Sequence, residues 1–416
     1  MKMRTILCDP VKSEPESTYA WVRVFAALAI MTIGGAGMYS MGVALPLVQA
    51  DFSATRGDAS LPYTLTMIGF GVGGILMGRL ADRFGIVVPV MIGALGLGAG
   101  FVLAGTAPSL VQFSFAHGVL IGLLGCSATF APLVADTSLW FNRRRGIAVA
   151  ICASGNYLAG TVWPPILQYA FDTAGWRATY VGLGCFCTAT MLLLALVLRR
   201  RPPALESSAV RSFSQSERPL GLSPNALMAL LMIAGVACCV AMSMPQVHIV
   251  AYCGDLGYGA ARGAEMLSLM FGFGVLSRLA FGFVTDRLGG LRTLLLASVL
   301  QAIAIALFIP FDSLVSLYIV SALFGVFQGG LVPQYAIVVR EYFAPREAGV
   351  RVGIVLMSTL FGMALGGWIS GAIFDVTGSY QAAFVNGLAW NIVNIVIIAW
   401  LLLRTLPARA RENPVY

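Results

Sequence analysis

The sequence predicts an all-α membrane protein in which twelve transmembrane helices form two pseudo-symmetric six-helix bundles. Of the 416 residues, 58% are hydrophobic and only 11% are charged, a balance outside the range of soluble domains. Twelve apolar runs are each long enough to cross a bilayer, which takes about 20 helical residues. One long polar stretch divides these runs six and six, and motifs of the first half recur in the second.

The apolar runs define the predicted domain boundaries. In the first half they lie near residues 22–49, 58–79, 86–106, 110–138, 146–171 and 177–198. In the second half they lie near residues 225–252, 263–284, 292–310, 314–339, 350–373 and 380–403. We therefore predict a cytoplasmic tail (1–20), an N-terminal bundle (21–198), a cytoplasmic central loop (199–224), a C-terminal bundle (225–404) and a cytoplasmic tail (405–416).

The cationic residues predict which side of the membrane each loop faces, because short cytoplasmic loops retain Lys and Arg. With the N-terminus inside, 22 of the 26 Lys and Arg residues fall on the cytoplasmic side, and only Arg56, Arg177 and Arg262 fall outside. Both chain ends should then be cytoplasmic, in a multi-pass plasma membrane protein whose short loops suggest a bacterial inner membrane. This topology explains the net charge of +8 without a nucleic-acid partner. Arg278, within the eighth run, is the one cation that belongs to neither side.

Three sequence elements recur at an offset of about 204 residues, as an internal duplication would require. The matching pairs are GRLADRFG (78–85) with GFVTDRLG (282–289), WF (140–141) with YF (342–343), and FDTAG (171–175) with FDVTG (374–378).

The first repeated element predicts a cytoplasmic gate. Its glycines would let two helices approach closely around a very short turn, and its Asp-Arg pair can cap helix ends and pair across the half. A generic charged turn that only sets the topology is the alternative. The predicted gate residues are Gly78, Asp82, Arg83 and Gly85 in the first copy and Gly282, Asp286, Arg287 and Gly289 in the second.

The paired G-x-x-x-D-R-x-G loops, the twelve runs and the long central loop resemble the major facilitator superfamily of secondary transporters over essentially the whole chain. Within that superfamily, YSMGVALPLVQADF (39–52), WFNRRRGIAVAICASG (140–155), the GWR triplet at 175–177 and Arg278 resemble the monocarboxylate transporters and their bacterial oxalate/formate relatives. The resemblance implies a two-bundle carrier with a central substrate path.

The gate loop departs from the pattern of that superfamily. Two basic residues usually follow the second glycine, whereas Ile86 and Val87 follow Gly85 here. We therefore expect the first gate to rely on Arg83 and on Asp136, at the inner end of the fourth run.

Other departures lie in the spans. Animal monocarboxylate carriers have a lysine in span one and an aspartate one turn before the span-eight arginine, where this sequence has Tyr39 and Gly274. The span-four arginine of many proton-coupled members is absent, with His117 in that neighbourhood. Oxalate-type relatives carry a lysine in span eleven, but residues 350–373 hold only Arg351 among cations.

The energy source is predicted by exclusion. A phosphate-binding G-x-x-x-x-G-K-[ST] loop needs a lysine, and the only lysines are Lys2 and Lys12. Neither His117 nor His248 has a carboxylate cluster beside it, and no Cys-x-x-Cys pair occurs, so neither a metal nor another cofactor is expected. The sequence therefore predicts a secondary carrier and not an enzyme, with no nucleotide partner.

Arg278 predicts a substrate carboxylate. An arginine near the bilayer centre costs between about 2.5 and more than 10 kcal/mol, so it needs a partner or a water-filled cavity. Asp286 is about 12 Å further along the helix at 1.5 Å per residue, and the central spans two, five, eight and eleven hold no mid-span carboxylate. A guanidinium binds a carboxylate through two parallel hydrogen bonds. Snorkelling to the inner surface is the alternative. One central cation favours a monocarboxylate such as lactate or pyruvate over a dianion.

Other polar side chains at mid-membrane depth are candidates for the substrate site, although each could instead form an interhelical hydrogen bond. They are Tyr39 in span one, Asn156 and Tyr157 in span five, and Gln328, Gln334 and Tyr335 in span ten. The aromatic side chains of Phe271, Phe273 and Trp368 could close such a pocket or pack in the core.

Three groups are candidates for proton coupling. Asp255, at the outer end of span seven, could take up a proton or simply cap a helix. His248, one to two turns earlier, has an ordinary pKa near 6.5, and an interhelical hydrogen bond is its alternative role. His117 is the third candidate.

We therefore predict a proton-coupled monocarboxylate symporter that works by alternating access within the lipid bilayer. An anion exchanger of the oxalate/formate type is the main alternative, which the missing lysine of span eleven disfavours. A drug/proton antiporter would have an embedded acid in span one, but none occurs before Asp51. A membrane sensor would need a soluble signalling domain, which this sequence does not contain.

Overall fold

The computed structural model describes residues 16–141, 143–200 and 219–412, and every span of regular structure within those ranges is helical. Twelve helices there are long and apolar enough to cross a membrane. The first six are α1 (Thr18–Asp51), α2 (Arg56–Phe84), α3 (Val87–Gly105), α4 (Leu110–Leu139), α5 (Arg145–Ala174) and α6 (Trp176–Leu198). The second six are α7 (Pro224–Asp255), α8 (Ala260–Leu288), α9 (Gly290–Leu307), α10 (Leu314–Tyr342), α11 (Pro345–Thr377) and α12 (Tyr380–Glu412).

Each predicted run corresponds to one of these helices, so the predicted fold class is confirmed. Ser or Thr side chains cap the first turns of five of these helices. The hydroxyl of Thr55 accepts from the backbone N–H of Asp58 at the start of α2, and Ser223 accepts from Ala226 at the start of α7.

Two helices are interrupted at glycines. Gly35 separates the two segments of α1, and a Cβ there would lie 2.4 Å from the Cβ of Ala159 on α5. In α10 the break falls at Gly329 and Gly330. A Cβ on Gly329 would lie 2.4 Å from the carbonyl oxygen of Gly274 on α8, so the bend brings the backbones of α8 and α10 into contact.

Glycines also pack equivalent helices together in the two halves. A Cβ on Gly69 of α2 would lie 2.2 Å from the carbonyl oxygen of Gly118 on α4. In the second half, a Cβ on Gly325 of α10 would lie 2.2 Å from the carbonyl oxygen of Met270 on α8. Only glycine permits such close approach of two helices. The pair α2–α4 and the pair α8–α10 are therefore built by the same device.

The two halves meet along α1, α2 and α5 on one side and α7, α8 and α11 on the other. The hydroxyl of Thr64 on α2 donates to the carbonyl of Ala364 on α11 at 3.0 Å. The hydroxyl of Ser268 on α8 donates to the carbonyl of Thr161 on α5. We call the side of the bundle where α1 begins and α6 ends the terminal side, and the opposite side the distal side.

Candidate functional site

Arg278 lies half-buried on α8, against α5 and α10. Its guanidinium carbon is 4.0 Å from the ring centroid of Tyr157. Its Nε donates to the carbonyl of Gly329 at 3.3 Å, and one Nη donates to the carbonyl of Ala153 at 3.5 Å, both at the long end of the hydrogen-bond range. None of the ion pairs formed by the described residues includes Arg278. Its charge is therefore held in place without being neutralised.

The guanidinium of Arg278 stays near the depth of its own backbone. Ala153 and Tyr157 lie eight and twelve residues after the terminal end of α5, and Arg278 lies ten residues before the terminal end of α8. A side chain that snorkelled to the terminal surface would not reach both neighbours. The contacts thus favour a central position over the surface alternative.

Gly274 makes room for the ring that stacks on Arg278. A Cβ at this position would lie 2.4 Å from Cε1 of Tyr157, so any side chain would displace the tyrosine. A guanidinium over an aromatic face is attracted by the ring quadrupole without losing its net charge. Tyr157 can therefore orient Arg278 and still leave the charge available to an anion.

Aromatic side chains from both halves meet next to Arg278. The ring of Phe271 on α8 lies 4.6 Å from that of Tyr39 on α1 and 5.5 Å from that of Tyr157, centroid to centroid. The Tyr39 hydroxyl donates to the side-chain carbonyl of Asn156 at 3.3 Å. The structure thus brings four sequence candidates together, namely Arg278, Tyr39, Asn156 and Tyr157.

A narrow cavity of about 10 Å³ lies on the other side of Tyr39. This is room for about one water molecule, so the centre is nearly closed in this conformation. Gln246 on α7 donates from its side chain to that of Gln328 at 3.2 Å, and the side-chain nitrogen of Gln328 is buried without a partner. The cavity is lined by Met38, Tyr39, Gly42, Tyr63, Gln246 and Met363.

Two of the predicted site residues lie away from Arg278. The Gln334 side chain accepts from the hydroxyl of Thr285 at 2.9 Å, between α10 and α8. The Tyr335 hydroxyl donates to Asn394 on α12 at 2.8 Å and is fully buried. Both side chains therefore form the interhelical hydrogen bonds that were their alternative role.

Of the three aromatic candidates, only Phe271 lies at the centre. Phe273 lines a groove between α5 and α8, and Trp368 is 41% exposed. Neither of these two faces the Tyr39 cavity.

A second charged cluster joins the halves at the distal side. Arg56 of α2 is 7% exposed, and its two Nη atoms donate to the two carboxylate oxygens of Asp255 at 3.1 and 3.2 Å. One Nη also donates to the Tyr380 hydroxyl at 2.7 Å. The carboxylate of Asp375 accepts from the backbone N–H groups of Arg56 and Gly57, each at 2.7 Å. We call these contacts the distal gate.

His248 on α7 is connected to the distal gate. Its Nε2 lies 2.8 Å from the carbonyl of Gly367, and its Nδ1 lies 3.1 Å from the Tyr380 hydroxyl. Because a carbonyl oxygen only accepts, Nε2 must carry the hydrogen. A neutral ring then accepts through Nδ1, so Tyr380 donates to His248 while it accepts from Arg56.

The repeat-equivalent acid of the first half pairs differently. Asp51 lies 204 residues before Asp255 and accepts from Arg177 on α6 at 2.7 Å. Asp51 and Arg177 belong to the same half, and both side chains are about two-fifths exposed. Of the two equivalent pairs, only the one at Asp255 crosses between the halves.

On the terminal side, Asp136 forms a pair that the sequence did not predict. It accepts from Arg23 at 2.5 Å, and Arg23 is 3% exposed beneath the ring of Trp140. That the first gate relies on Arg83 and Asp136 stays a prediction, and the two side chains form no ion pair with each other here. Arg83 lies instead over the neighbouring Phe84 ring.

The repeated gate loops owe their shape to their second glycines. Gly85 has φ +83° and Gly289 has φ +80°, in the left-handed region that favours glycine. A Cβ on Gly78 or Gly282 would meet no atom within 4 Å, so the expected close approach of helices at these two positions is absent.

The charged residues of the gate loops do not connect the two halves. Within the described ranges, no hydrogen bond or ion pair involves the side chains of Asp82, Asp286 or Arg287. The N-terminus of α9 is capped by another residue, because Glu341 accepts from the backbone N–H of Gly290 at 2.8 Å. Among the described residues, the bond from Arg278 to Ala153 is the last between the halves on the way to the terminal side.

His117 lies inside the first half. It is fully buried, with its two ring nitrogens 3.3 Å from the Thr66 hydroxyl and 3.4 Å from the Tyr180 hydroxyl. These contacts tie α4 to α2 and α6 and do not reach the interface between the halves.

This arrangement of twelve helices in two similar halves agrees with a family comparison. The profile of the Major Facilitator Superfamily matches residues 26–317 and 254–415, most of the chain. The chain belongs to the Major Facilitator Superfamily. Its similarity to the nucleoside transporter NupG supports the fold alone, with a TM-score of 0.69 at 14% identity over 92% of this chain and all of that one.

Relatives in sequence narrow the comparison within the superfamily. The chain is 28% identical to monocarboxylate transporter 13 of Bos taurus over 386 residues, covering 89% of this chain and 86% of that protein. It is 27% identical to monocarboxylate transporter 11 of Homo sapiens over 419 residues, covering 92% and 83%. The protein is thus a superfamily transporter with monocarboxylate transporter relatives.

Several residues of this transporter's site were not predicted from its sequence. The sequence prediction places Arg56 in an outer loop and Asp375 in a repeated motif, and it includes neither Gln246 nor Tyr63. The signal for the distal gate was present, because acidic residues end the repeat-equivalent helices α1 and α7. Their different partners could be found only from the packing of the halves.

Proposed function

We propose that the protein is a secondary active transporter of small monocarboxylates that works by proton-coupled symport and alternating access, with Arg278 as the carboxylate ligand. The observation that carries this proposal is the guanidinium of Arg278, which lies between the halves with no carboxylate partner in the described structure. A bound carboxylate would accept two parallel hydrogen bonds and neutralise it.

The surroundings of Arg278 favour a short acid with one charge. The rings of Tyr39, Tyr157 and Phe271 offer apolar faces for a small carbon skeleton, while the Asn156 amide can hydrogen-bond a hydroxyl or keto oxygen. No second cation lies among them, so a dianion would retain an unpaired charge in a low-dielectric site. The relatives named monocarboxylate transporters support the same class of substrate.

The orientation of the cycle follows from the arginines. Since most cationic residues lie toward the terminal side, we assign this side to the cytoplasm and the distal side to the exterior. The distal gate then closes the outer path, while no hydrogen bond or ion pair among the described residues bridges the halves beyond Arg278 on the cytoplasmic side. With its outer path closed and its centre nearly closed, this conformation would open next toward the cytoplasm to release substrate.

His248 is the proton site that we propose. Arg56 contributes one positive charge beside two carboxylates, Asp255 and Asp375, so a proton on the neighbouring His248 would bring the cluster to net zero. Asp255 fits the gate better than the carried proton, because its ionised form pairs with Arg56 when the outer path is closed. A proton on Asp255 would be lost to the exterior on closing. His117 is too far inside the first half to couple to either gate.

The test is uptake of radiolabelled pyruvate into proteoliposomes, with and without an inward proton gradient. We expect the gradient to accelerate uptake and Arg278→Gln to reduce it at least about 100-fold, since a charge-assisted bidentate contact is lost. Arg262→Gln, at the exposed start of the same helix, is the matched control and should transport normally.

Two results would contradict this proposal. Arg278→Gln uptake equal to wild type would show that the site assignment is wrong. Pyruvate counterflow with no response to the proton gradient would replace symport with anion exchange.

A further inference from the structure

We infer that the distal end of α2 is a second carboxylate-binding site, on which an external substrate and the side chains of Asp255 and Asp375 compete. This inference rests on the proposed function, because its ligand is the carboxylate of the transported acid. It assigns to Arg56 the first contact with substrate on the outer side, before the acid reaches Arg278.

The donors of this site already hold carboxylates. The guanidinium of Arg56 binds both oxygens of Asp255, and the backbone N–H groups of Arg56 and Gly57 bind both oxygens of Asp375. The positive end of the α2 dipole adds to the guanidinium charge. The Nε of Arg56, a side chain more than nine-tenths buried, has no acceptor. The site thus recognises the functional group that a monocarboxylate presents.

The carboxylates and the donors belong to different halves. Arg56 and Gly57 are on α2, whereas Asp255 ends α7 and Asp375 lies near the end of α11. When the halves separate on the outer side, the donors lose both partners at once. An arginine and a helix N-terminus then face a water-filled opening with no counter-ion. An external carboxylate would bind these donors until the protein's own carboxylates displace it inward.

The first half provides an internal comparison. Asp51 pairs with Arg177 inside the same half, where both side chains are partly exposed. Separation of the halves leaves this pair intact. Of Arg56 and Arg177, only Arg56 loses its carboxylate partner in the outward-facing state. Substitutions of Asp51 are therefore matched controls for substitutions of Asp255.

The experiment measures equilibrium binding of radiolabelled pyruvate to the full chain in lipid nanodiscs, with Arg278→Gln present throughout to remove the central site. Adding Asp255→Asn removes the carboxylate that competes for the Arg56 guanidinium, and we expect pyruvate to bind at least about tenfold more tightly, since hydrogen bonds to charged groups contribute that much. Adding Asp51→Asn instead should leave binding unchanged.

Arg56 decides between a binding site and a simple gate. Both Asp255→Asn and Arg56→Gln break the gate and favour the outward-facing state. If Arg56 served only as a gate, both substitutions would expose any remaining pyruvate site alike and tighten apparent binding. If Arg56 is a binding site, the two substitutions change the affinity for pyruvate in opposite directions. Asp255→Asn tightens binding, and adding Arg56→Gln abolishes it again. Arg56→Lys, which retains the charge but not the two-pronged contact, should give an intermediate affinity and serves if Arg56→Gln does not fold.

Tight pyruvate binding that survives Arg56→Gln would overturn the inference, and so would the absence of any gain with Asp255→Asn. The proposed function is tested separately by wild-type uptake. The inference about Arg56 and the proposed function can each fail independently, because binding is measured in the absence of Arg278 and uptake in its presence.

Discussion

Arg278 and Arg56 are both arginines held between the two halves, but they differ in what neutralises them. Arg56 is surrounded by two carboxylates of the opposite half and a tyrosine hydroxyl. Arg278 contacts one aromatic ring and two backbone carbonyls. An arginine that the opposite half neutralises is available to a ligand only when the halves separate, whereas an arginine that is left charged is available while they are joined.

The largest expected effect is on the outward-facing population, and it distinguishes the Arg56–Asp255 pair from the repeat-equivalent Arg177–Asp51 pair. Asp255→Asn removes the charged acceptor between the halves, so we expect the outward-facing population to rise between about ten- and 100-fold, as the loss of a hydrogen bond to a charged group predicts. The readout is alkylation of a Met38→Cys reporter by an impermeant maleimide added outside. The same substitution at Asp51 should leave the labelling rate unchanged, and an equal rise in both variants would contradict the distinction.

A second experiment tests whether the coupled proton is carried at the distal gate, which includes Arg56, or at the Arg278 site. One coupled proton supports about tenfold accumulation of substrate across a gradient of one pH unit. We expect His248→Gln to abolish this accumulation while pyruvate counterflow persists, because the glutamine does not titrate. His117→Gln is the control. Undiminished accumulation in His248→Gln would remove His248 from the coupling mechanism.

The smallest expected effect concerns the ring that orients Arg278. Tyr157→Leu removes the aromatic face, and we expect the half-saturating pyruvate concentration to rise about fivefold, within the range of a cation–π contact. Tyr157→Phe keeps the ring and should behave like the wild type. If both variants lost affinity equally, the hydroxyl and its bond to Gly329 would be responsible instead.

Arg278 could be predicted from sequence because a charge inside an apolar run violates a local rule. Arg56 could not, since an arginine between two spans violates none, and its partners lie 199 and 319 residues away along the chain. For the same reason, the twelve helices were predicted from local hydropathy, whereas the pairing of Asp136 was not. Arg23 and Arg83 are both cations near that side of the membrane, and only packing decides between them.

The directions in which the polar candidate side chains point could not be predicted from the sequence either. Gln328 and Gln334 are six residues apart on α10, yet the first contacts Gln246 next to the Tyr39 cavity and the second contacts Thr285 inside its own half. An ideal helix places residues six apart about 120° from each other around its axis, and the break at Gly329 and Gly330 also lies between these two. An ideal helical period therefore cannot predict which of the two faces the centre.

The π-helical segment of α4, Ala116–Cys126, lies in a region where the two halves differ in length. Gly289 lies 204 residues after Gly85, but Phe343 lies 202 residues after Phe141, so the first half contains two more residues between these points. Its α4 is 30 residues long, against 29 for α10. A wider helical turn accommodates an inserted residue without rotating the rest of the helix. The π-helical segment therefore lies within the part of the first half that is two residues longer than its counterpart.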